Sequence, residues 1–313
     1  METDIPTISV CVTTYQHVAY IRQCLESVLS QIFDGTLEVL VGDDGSIDGT
    51  RPLVDALALS DSRVRPFHHH SNLGPTGNLS FLVARARGHL IAHLDGDDFW
   101  LPGKLAAQLL VFNEDPRVVA VYCNANVVGA TGEKLGIFNE GLPAQVGMQE
   151  LLRRGNFLNH SSLVYRASAR DAVLGIDKPF IDYRLHFRLL FHGNLAYVDK
   201  PLVGYRWRSA GSMVKTMPSA VYEGHLDAFL EAIAAGAQTS DVRVAIGRFW
   251  GKLMMQSIAS GQWSCVRAWG RRITAEPAFE FSLTDLMAES ILAFPRALAS
   301  WWRRRHGSSV YFP

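Results

Sequence analysis

The chain has 313 residues, and 48% of them are hydrophobic, which is enough to build one large folded core with an additional segment. Thirty lysines and arginines balance thirty acidic residues, so no net field draws the protein to nucleic acid. No stretch approaches the ~20 uninterrupted apolar residues that a membrane-spanning helix needs. The composition therefore argues against a nucleic-acid-binding protein and against a membrane-spanning one.

The cysteines and the first residues predict a cytoplasmic protein. Cys11, Cys24, Cys123 and Cys265 are widely spaced and form no CxxC pair, which is typical of reduced thiols and does not suggest zinc. The chain begins Met1-Glu2-Thr3-Asp4, which is acidic and has no apolar run. We therefore expect no signal peptide.

Strand and helix patterns alternate in the first part of the chain. Buried strands are predicted where β-branched and apolar residues run together, at Thr7–Thr14, Leu37–Val41, Val64–Phe67 and Ile91–Leu94. Apolar residues at helical spacing lie between them: from Tyr20, around Leu53–Leu57 with Asp48 as its cap, and over Leu79–Arg87 with Gly88 as C-terminal cap. This alternation predicts an α/β fold with a mostly parallel sheet, right-handed crossovers and helices on both faces.

The elements of the second part follow less regularly. Helices are predicted at Pro102–Asn113, Met148–Arg153, Ala167–Val173 and Asp182–Leu190, strands at Val118–Cys123, Ser162–Tyr165 and Leu202–Trp207, and a hairpin turn at Gly129–Gly136. From about Ser219 the strand signals vanish and helical spacing continues to the end. We place a boundary near Met213–Pro218, with one domain over residues 1–215 and a C-terminal helical region over 216–313.

Polar and acidic residues follow three of the predicted parallel strands. They are Thr13-Thr14-Tyr15, Asp43-Asp44 and Asp95-Gly96-Asp97-Asp98. Parallel sheets of this class bind their ligands beyond the carboxyl ends of the strands, so these residues are expected at one site.

Asp95, Asp97 and Asp98 are too close together in the sequence for all three to ionise without a counter-charge. Mg²⁺ and Mn²⁺ prefer oxygen ligands and often share their shell between carboxylates and substrate phosphates. An acidic loop that caps a helix or is merely solvated is the alternative, and Asp98 fits a capping role on the approach to the helix at Pro102. The position of the acids at a strand end, beside a second acidic strand end, favours the cation site.

The Asp43-Asp44-Gly45-Ser46 segment admits two interpretations that are compatible. The acids and glycine can form a tight turn, with Ser46 or Asp48 capping the following helix. A carboxylate at this edge of the sheet can also accept a hydrogen bond from a nucleobase N–H or a ribose hydroxyl.

In their order and spacing, these motifs resemble those of the family 2 glycosyltransferases with a GT-A fold. The resemblance rests on Val10–Tyr15, Asp43–Ser46, Asn72-Leu73-Gly74 and Asp95–Asp98, and it covers about the first 110 residues. It implies inverting transfer of one sugar from a nucleotide-diphosphate donor, of UDP or dTDP type, with a divalent metal, Mn²⁺ or Mg²⁺, on the diphosphate. It also implies a nucleotide-sugar half over residues 1–110 and an acceptor half over 111–215.

The resemblance implies a role for each matching side chain of the donor site. Thr13, Tyr15 and Asp44 would hold the nucleoside, and Asp95 would face the ribose or the metal. Asp97 would be the principal metal ligand.

The catalytic base is expected on the helix that begins at Asp182. Members of the family commonly have a Glu-Asp pair there, and this chain has Ile181 in place of the Glu. Asp182 remains the candidate base, because an inverting transfer needs one carboxylate to take the proton of the acceptor hydroxyl. A plain helix-capping role for Asp182 is the alternative.

The acceptor and the number of sugars added follow from the same resemblance. The Gln-x-x-Arg-Trp signature of processive synthases is absent, so we expect one sugar per acceptor. A saccharide or lipid-linked acceptor of cell-surface polysaccharide is implied. The segment Tyr205-Arg206-Trp207-Arg208-Ser209 resembles the end of the catalytic domain in this family, and an arginine there could meet phosphate or acceptor or lie exposed. His160 could line an acceptor pocket or be a structural histidine.

Two other classes of protein were weighed. A dinucleotide-dependent oxidoreductase would need a Gly-rich turn after the first strand, and the chain has Thr14-Tyr15-Gln16-His17-Val18 there. A nucleotide-sugar-binding protein without catalytic activity stays open, because binding acids and catalytic acids look alike in a sequence.

The end of the chain combines Trp301 and Trp302 with Arg303, Arg304 and Arg305. Aromatic and basic residues together suit the anionic interface of a membrane, which would place the protein peripherally on the inner face of the cell membrane. A helix packed on the catalytic domain with its arginines in solvent is the competing interpretation.

Overall fold

The computed structural model describes residues 5–176, 181–207, 218–261, 263–292 and Val310. Its strands are β1 (Ile8–Thr14), β2 (Leu37–Asp43), β3 (Val64–His68), β4 (Leu90–Asp95), β5 (Phe99–Trp100), β6 (Val118–Val128), β7 (Lys134–Ile137), β8 (Gln145–Val146), β9 (Val164–Arg166) and β10 (Asn194–Arg206).

The helices follow the strands along most of the chain and then continue alone. They are α1 (Ile21–Leu29), α2 (Thr50–Ser60), α3 (Gly74–Val83), α4 (Lys104–Glu114), α5 (Met148–Arg154), α6 (Asp171–Leu174), α7 (Asp182–Leu190), α8 (Pro218–Ala234), α9 (Thr239–Ser260), α10 (Ser264–Thr274) and α11 over 283–292. Short 3-10 turns occur at His160–Ser162, Ala167–Ala169 and Pro277–Phe279.

All the strands belong to one sheet. Its order is β3-β2-β1-β4-β9-β6-β10-β5, with β7 paired to β6 and β8 paired to β10. The first four strands are parallel to their neighbours, as predicted. β9 runs antiparallel to both β4 and β6, and so it joins the two halves of the sheet. The predicted α/β fold, with its large sheet and C-terminal helices, is confirmed.

Helices cover both faces of the sheet. Alternate residues of β1 point to opposite faces, so that Val10 packs in one apolar cluster and Cys11 in the other. The first cluster receives the apolar faces of α1, α2 and α4. The second receives α3, α5 and α7 together with apolar residues of α8 to α11. The C-terminal helices therefore share a core with the sheet.

The structure differs from the sequence prediction in two local places. α3 begins at Gly74 and ends at Val83, so Gly88 is not its cap, and Gly88 instead donates its N–H to Ser9 Oγ at 2.7 Å. β10 spans 13 residues, of which the sequence indicated only the last part. The pairing of β10 with β6 shifts register between Val198 and Val203, and this irregularity breaks the apolar pattern. The boundary predicted near Met213–Pro218 lies outside the described residues except for Pro218, where α8 begins.

A buried carboxylate ties three strands together at the edge opposite the predicted site. Glu38 of β2 is 4% exposed and accepts hydrogen bonds from Ser9 Oγ at 2.7 Å, from Arg65 at 2.7 Å and from the backbone and side chain of Arg87 at 2.8–3.1 Å. Burial by itself raises the pKa of Glu38, but these hydrogen bonds outweigh burial and hold the pKa below its ordinary value.

Glu38→Gln should lower the free energy of unfolding at neutral pH by about 2–4 kcal/mol, because it leaves partly buried guanidinium groups without their charge partner. The lowered pKa stabilises the fold above the ordinary glutamate pKa of about 4.3, and this contribution is lost as the pH falls through the lower folded-state pKa. Thermal unfolding of both proteins between pH 7 and pH 3 should therefore show the difference shrinking with acid. Glu26→Gln, at a half-exposed pair with Arg22, is the control and should change little. A gap that grows toward low pH would contradict the assignment.

Candidate functional site

The structure brings the three predicted strand ends together. Thr13 of β1 pairs in register with Asp95 of β4, and Thr13 Oγ1 donates a hydrogen bond to Asp95 Oδ1 at 3.1 Å. The carbonyl of Thr14 accepts the N–H of Asp44 at 2.9 Å. β1 lies between β2 and β4, so its end connects the two acidic strand ends. Thr13, Asp44 and Asp95 thus lie at one corner of the sheet.

Asp44 organises the loop before α3. Its Oδ1 accepts the N–H of Leu73 at 2.7 Å, and its carbonyl accepts Asn72 Nδ2 at 3.0 Å. Tyr15, directly after β1, is 46% exposed and so is available to a ligand. Asp43 has a structural partner, because its buried carboxylate accepts Arg51 Nε at 2.5 Å.

Asp98 is an internal bridge rather than a helix cap. Its Oδ2 accepts Ser161 Oγ at 2.6 Å, and its Oδ1 accepts the N–H of Arg206 at 2.7 Å. Ser161 Oγ in turn accepts the N–H of Asp95 at 3.1 Å. α4 begins after Gly103, away from this carboxyl group. Asp98 therefore fixes the end of β4 to the 3-10 turn at Ser161 and to β10.

The three acids differ in environment. Asp98 is 2% exposed, and its pKa is raised well above the ordinary value, first by burial and then by the charges of Asp97 and Asp95. Asp97 is 9% exposed and Asp95 is half-buried. Both oxygens of Asp98 therefore have internal partners, and Asp95 is the most exposed of the three acids.

The donor set suits a hard cation that brings further ligands with it. Among the described residues no group of three or more His, Cys, Asp or Glu side chains could hold a metal ion. Two carboxylates are what Mg²⁺ commonly takes from a protein when substrate phosphates complete its shell. Asp95 and Asp97 fit that pattern.

Two buried polar side-chain atoms lie next to Gly96, the residue between Asp95 and Asp97. Thr14 Oγ1 and His17 Nδ1 are buried and have no hydrogen-bond partner within the described ranges. A side chain at Gly96 would clash with both groups, since its Cβ would lie 2.8 Å from Thr14 Oγ1 and 2.9 Å from His17 Nδ1. Buried polar atoms normally have partners, so these two atoms keep unused hydrogen-bonding capacity beside the acids, and the absence of a side chain at Gly96 lets the backbone approach them.

Asp182 is the first residue of α7, and the residue before it, Ile181, occupies the N-cap position. Its Oδ1 accepts Asn156 Nδ2 at 2.6 Å and the N–H of Tyr183 at 3.0 Å. Asn156, which the sequence analysis did not single out, therefore orients this carboxylate from the loop after α5.

Tyr205 is influenced by the charge of Asp182 and by the charges of the acids at the end of β4. Burial raises its pKa, and the charges of Asp98, Asp182, Asp97 and Asp95 raise it further, in that order. Its ring packs edge-on against Phe138 at 5.1 Å. Asp182 and the acids at the end of β4 therefore both act electrostatically on the end of β10.

Arg206 is buried and does not extend to a ligand. Its guanidinium lies 4.4 Å over the ring of Tyr20 and donates to the carbonyls of Gly129 and Ala130 at 3.1 Å and to Gln23 Oε1 at 2.5 Å. The predicted alternative of an exposed arginine is therefore wrong for Arg206, and Arg208 lies outside the described residues. Arg206 holds the β6–β7 hairpin and α1 against β10.

The histidines under the site are held neutral. His93 and His186 are fully buried, and burial followed by the neighbouring His160 lowers the pKa of each, in His186 to about 3. His186 Nδ1 lies 2.7 Å from Tyr122 Oη, and the His93 and His160 rings are 4.8 Å apart. These rings pack the floor of the site, and half-buried His160 is the one nearest its surface.

A family model described as "Glycosyl transferase family 2" matches residues 9–173. An uncharacterized protein of Mycobacterium tuberculosis is 27% identical over 207 residues, 65% of this chain and 60% of that protein. EpsH of Bacillus subtilis is 28% identical over 77% of this chain and 71% of its own length. The succinoglycan biosynthesis protein ExoO of Rhizobium meliloti is 30% identical over 71% of this chain and 61% of its own length. The chain thus spans about 60% of the length of the first of these relatives.

Solved structures show the same fold at low identity. S. aureus TarS 1–349, in complex with UDP-GlcNAc, superposes with a TM-score of 0.66 at 19% identity, covering 95% of this chain and 92% of that one. The mannosyltransferase PcManGT from Pyrobaculum calidifontis, in complex with GDP-Man and Mn²⁺, gives 0.54 at 17% identity, covering 93% and 88%. The fold is therefore of the GT-A type.

Asp98→Ala should lower the free energy of unfolding by roughly 2–4 kcal/mol, because it leaves two buried donors, the Ser161 hydroxyl and the Arg206 N–H, without an acceptor. Denaturant unfolding measures the change. Asp34→Ala, in an exposed loop, is the control and should stay within about 0.5 kcal/mol of the parent. Equal stability of the two variants would show that the bridge does not hold the site.

Proposed function

Because the chain belongs to glycosyl transferase family 2, we propose that it is a metal-dependent inverting glycosyltransferase that moves one sugar from a nucleotide-diphosphate donor to a saccharide or lipid-linked acceptor. The observation that carries the proposal is the contact of Thr13 with Asp95 at adjoining strand ends, directly beside Asp97. A role in cell-surface polysaccharide synthesis is supported by the relative ExoO, which is named for succinoglycan biosynthesis.

The donor would lie across the ends of β1, β2 and β4. Thr13, Tyr15 and Asp44 would hold the nucleoside, with Asp44 also fixing the adjoining loop through Leu73. A UDP- or dTDP-type donor is our choice, and the complex of TarS with UDP-GlcNAc supports it. The exposed face of Tyr15 and the unpartnered Thr14 Oγ1 give this edge an aromatic surface and a free hydroxyl.

Asp97 and Asp95 would hold the divalent metal, Mn²⁺ or Mg²⁺, together with the diphosphate. A bound divalent cation supplies positive charge that stabilises a departing diphosphate. The complex of the archaeal mannosyltransferase with Mn²⁺ supports the choice of metal. Asp98, with both oxygens engaged, would orient the other two acids without binding the metal.

Asp182 would act as the general base. It would accept the proton of the acceptor hydroxyl as that oxygen attacks the anomeric carbon, on the face opposite the departing diphosphate. Asn156 leaves the second carboxylate oxygen, Oδ2, to face the acceptor, because the hydrogen bonds of the described residues go to Oδ1.

The test is metal-dependent turnover with a panel of nucleotide sugars, combined with calorimetric donor binding. Asp97→Ala should abolish transfer and metal-dependent donor binding. Asp182→Asn should retain donor binding and lose at least about 100-fold in turnover, the usual contribution of a general base. The exposed-loop variant Asp34→Asn is the matched control and should keep full activity.

Near-normal turnover by Asp182→Asn would remove the base assignment. Donor binding by the parent protein with neither transfer nor donor hydrolysis would identify the alternative, a nucleotide-sugar-binding protein without catalytic activity. Full activity after metal removal with EDTA would overturn the metal dependence.

We also propose a peripheral contact with an anionic membrane on the cytoplasmic side, where a lipid-linked acceptor would be presented. Trp301, Trp302 and Arg303–Arg305 lie outside the described residues, and the support comes from the helix before them. On α11 the side chains of Leu283, Met287 and Ile291 form one stripe and are 57%, 47% and 68% exposed. Residues 291–313 contain four arginines and no acidic residue, so the chain beyond the stripe complements anionic lipid. None of the described helices is both long and apolar enough to cross a bilayer.

Vesicle flotation of the full chain tests this contact. Binding is expected on vesicles that contain phosphatidylglycerol and not on pure phosphatidylcholine. Replacing Arg303, Arg304 and Arg305 by Ala should weaken partitioning by roughly 100-fold, at about 1 kcal/mol per arginine. Met287→Glu should also weaken partitioning, whereas Leu59→Glu, at a 91% exposed leucine of α2, should not.

Equal partitioning of all variants would rule the membrane contact out. A concentration-dependent dimer that is lost in Met287→Glu would show that the stripe on α11 binds a second copy of the chain.

A further inference from the structure

We propose that α8 of the C-terminal helical region is a positioning element for Asp182. The proposal rests on the assigned role of Asp182 as base. It adds that the residues after the predicted catalytic domain set where that carboxylate lies, so the acceptor site is incomplete without them.

A single carboxylate of α8 holds two arginines of the base helix. Glu231 Oε1 accepts Arg184 Nη2 at 2.8 Å and Nε at 3.0 Å, and it accepts Arg188 Nη1 at 3.1 Å. The three side chains are only 12–20% exposed. Arg184 and Arg188 lie one turn apart on α7, so the pair of ion contacts fixes both the rotation and the height of that helix.

The start of α7 touches the backbone of α8 directly. Gly224 faces Ile181, the residue before Asp182, and a Cβ at Gly224 would lie 3.0 Å from Ile181 Cγ1 and 3.1 Å from Cγ2. Ile181 is 8% exposed, which accounts for an apolar residue where the family commonly has Glu. Any side chain at Gly224 would therefore press on the residue that precedes the base.

His225, the next residue of α8, lies close enough to Asp182 for the carboxylate charge to affect its pKa. Burial lowers the pKa of His225 to about 4, and the negative charge of Asp182 acts against that shift. The His225 ring is 5.7 Å from the ring of Tyr183, the second residue of α7. Asn156 therefore contacts Asp182 itself, while α8 contacts the residues on either side of it in the chain, Ile181 and Tyr183.

The competing interpretation is that α8 only adds to the stability of the fold. The two interpretations predict different effects of a small displacement that does not unfold the protein. If α8 sets the position of Asp182, turnover changes while stability and donor binding do not, because misplacing a reacting group by a fraction of an ångström slows the chemical step. If α8 only stabilises, turnover changes in parallel with stability.

Gly224→Ala separates the two. Alanine favours the helical conformation more than glycine, so the melting temperature should change little, while the new Cβ displaces Ile181 by a few tenths of an ångström. We expect kcat to fall roughly tenfold, with donor affinity unchanged. Adding Ile181→Ala removes both crowding carbons, so the double variant should recover most of the kcat of the parent although its melting temperature falls.

Glu231→Gln supplies a second line of evidence. It should lower kcat with donor affinity retained, whereas Glu223→Gln, at a half-exposed position on the same helix, should not. Full turnover by Gly224→Ala and Glu231→Gln, with Asp182→Asn inactive, would overturn the positioning role alone. A kcat that tracks melting temperature through the whole set would assign α8 to stability only. An active Asp182→Asn would overturn the base assignment and this inference with it.

Discussion

The candidate site depends on how the fold accommodates three closely spaced carboxylates of the same charge. Three acids lie within four residues at the end of β4, and the side chain of one of them, Asp98, is buried in the interior. Its two oxygens are bound by Ser161 Oγ and by the N–H of Arg206. Because those partners belong to the 3-10 turn before β9 and to β10, the same bridge that removes a charge from the surface also joins the parallel half of the sheet to its mixed half.

Asp182 belongs to a helix and not to the sheet. The pKa of Tyr205, near the end of β10, is raised by the charges of both Asp182 and the acids at the end of β4. Asp182 is held by Asn156, and its helix is held by the ion contacts of α8. The corner that contains Thr13, Asp44 and Asp95 is therefore built from strand ends, whereas Asp182 is positioned by a helix and the helix packed against it.

The sequence predicted that the ends of β1, β2 and β4 meet, because the signals for these strand ends are local. A strand buried on both faces reads as an apolar run, and the polar residues where the run stops, Thr13, Asp44 and Asp95, mark its carboxyl end. The partners of Asp98 could not be found in this way. Arg206 is 108 residues from Asp98 in the sequence, and Ser161 is 63 residues away. Hydrophobic periodicity around either residue does not indicate that it contacts Asp98. β10 was seen only at its end, since its register shifts and charged middle break the alternation. α3 was placed too late, because its polar first turn at Gly74 carries no apolar stripe.

The contact between Gly224 and Ile181 bears on how such proteins can be recombined. The stretch that matches the family model ends at residue 173, before α7 begins, so a graft made at that point would carry the ends of β1, β2 and β4 without α7. A graft that ends after α7 would carry Asp182 but replace the surface of α8 against which Ile181 packs. α7 and α8 should therefore be exchanged together, with Ala234 as the last residue of the exchanged piece.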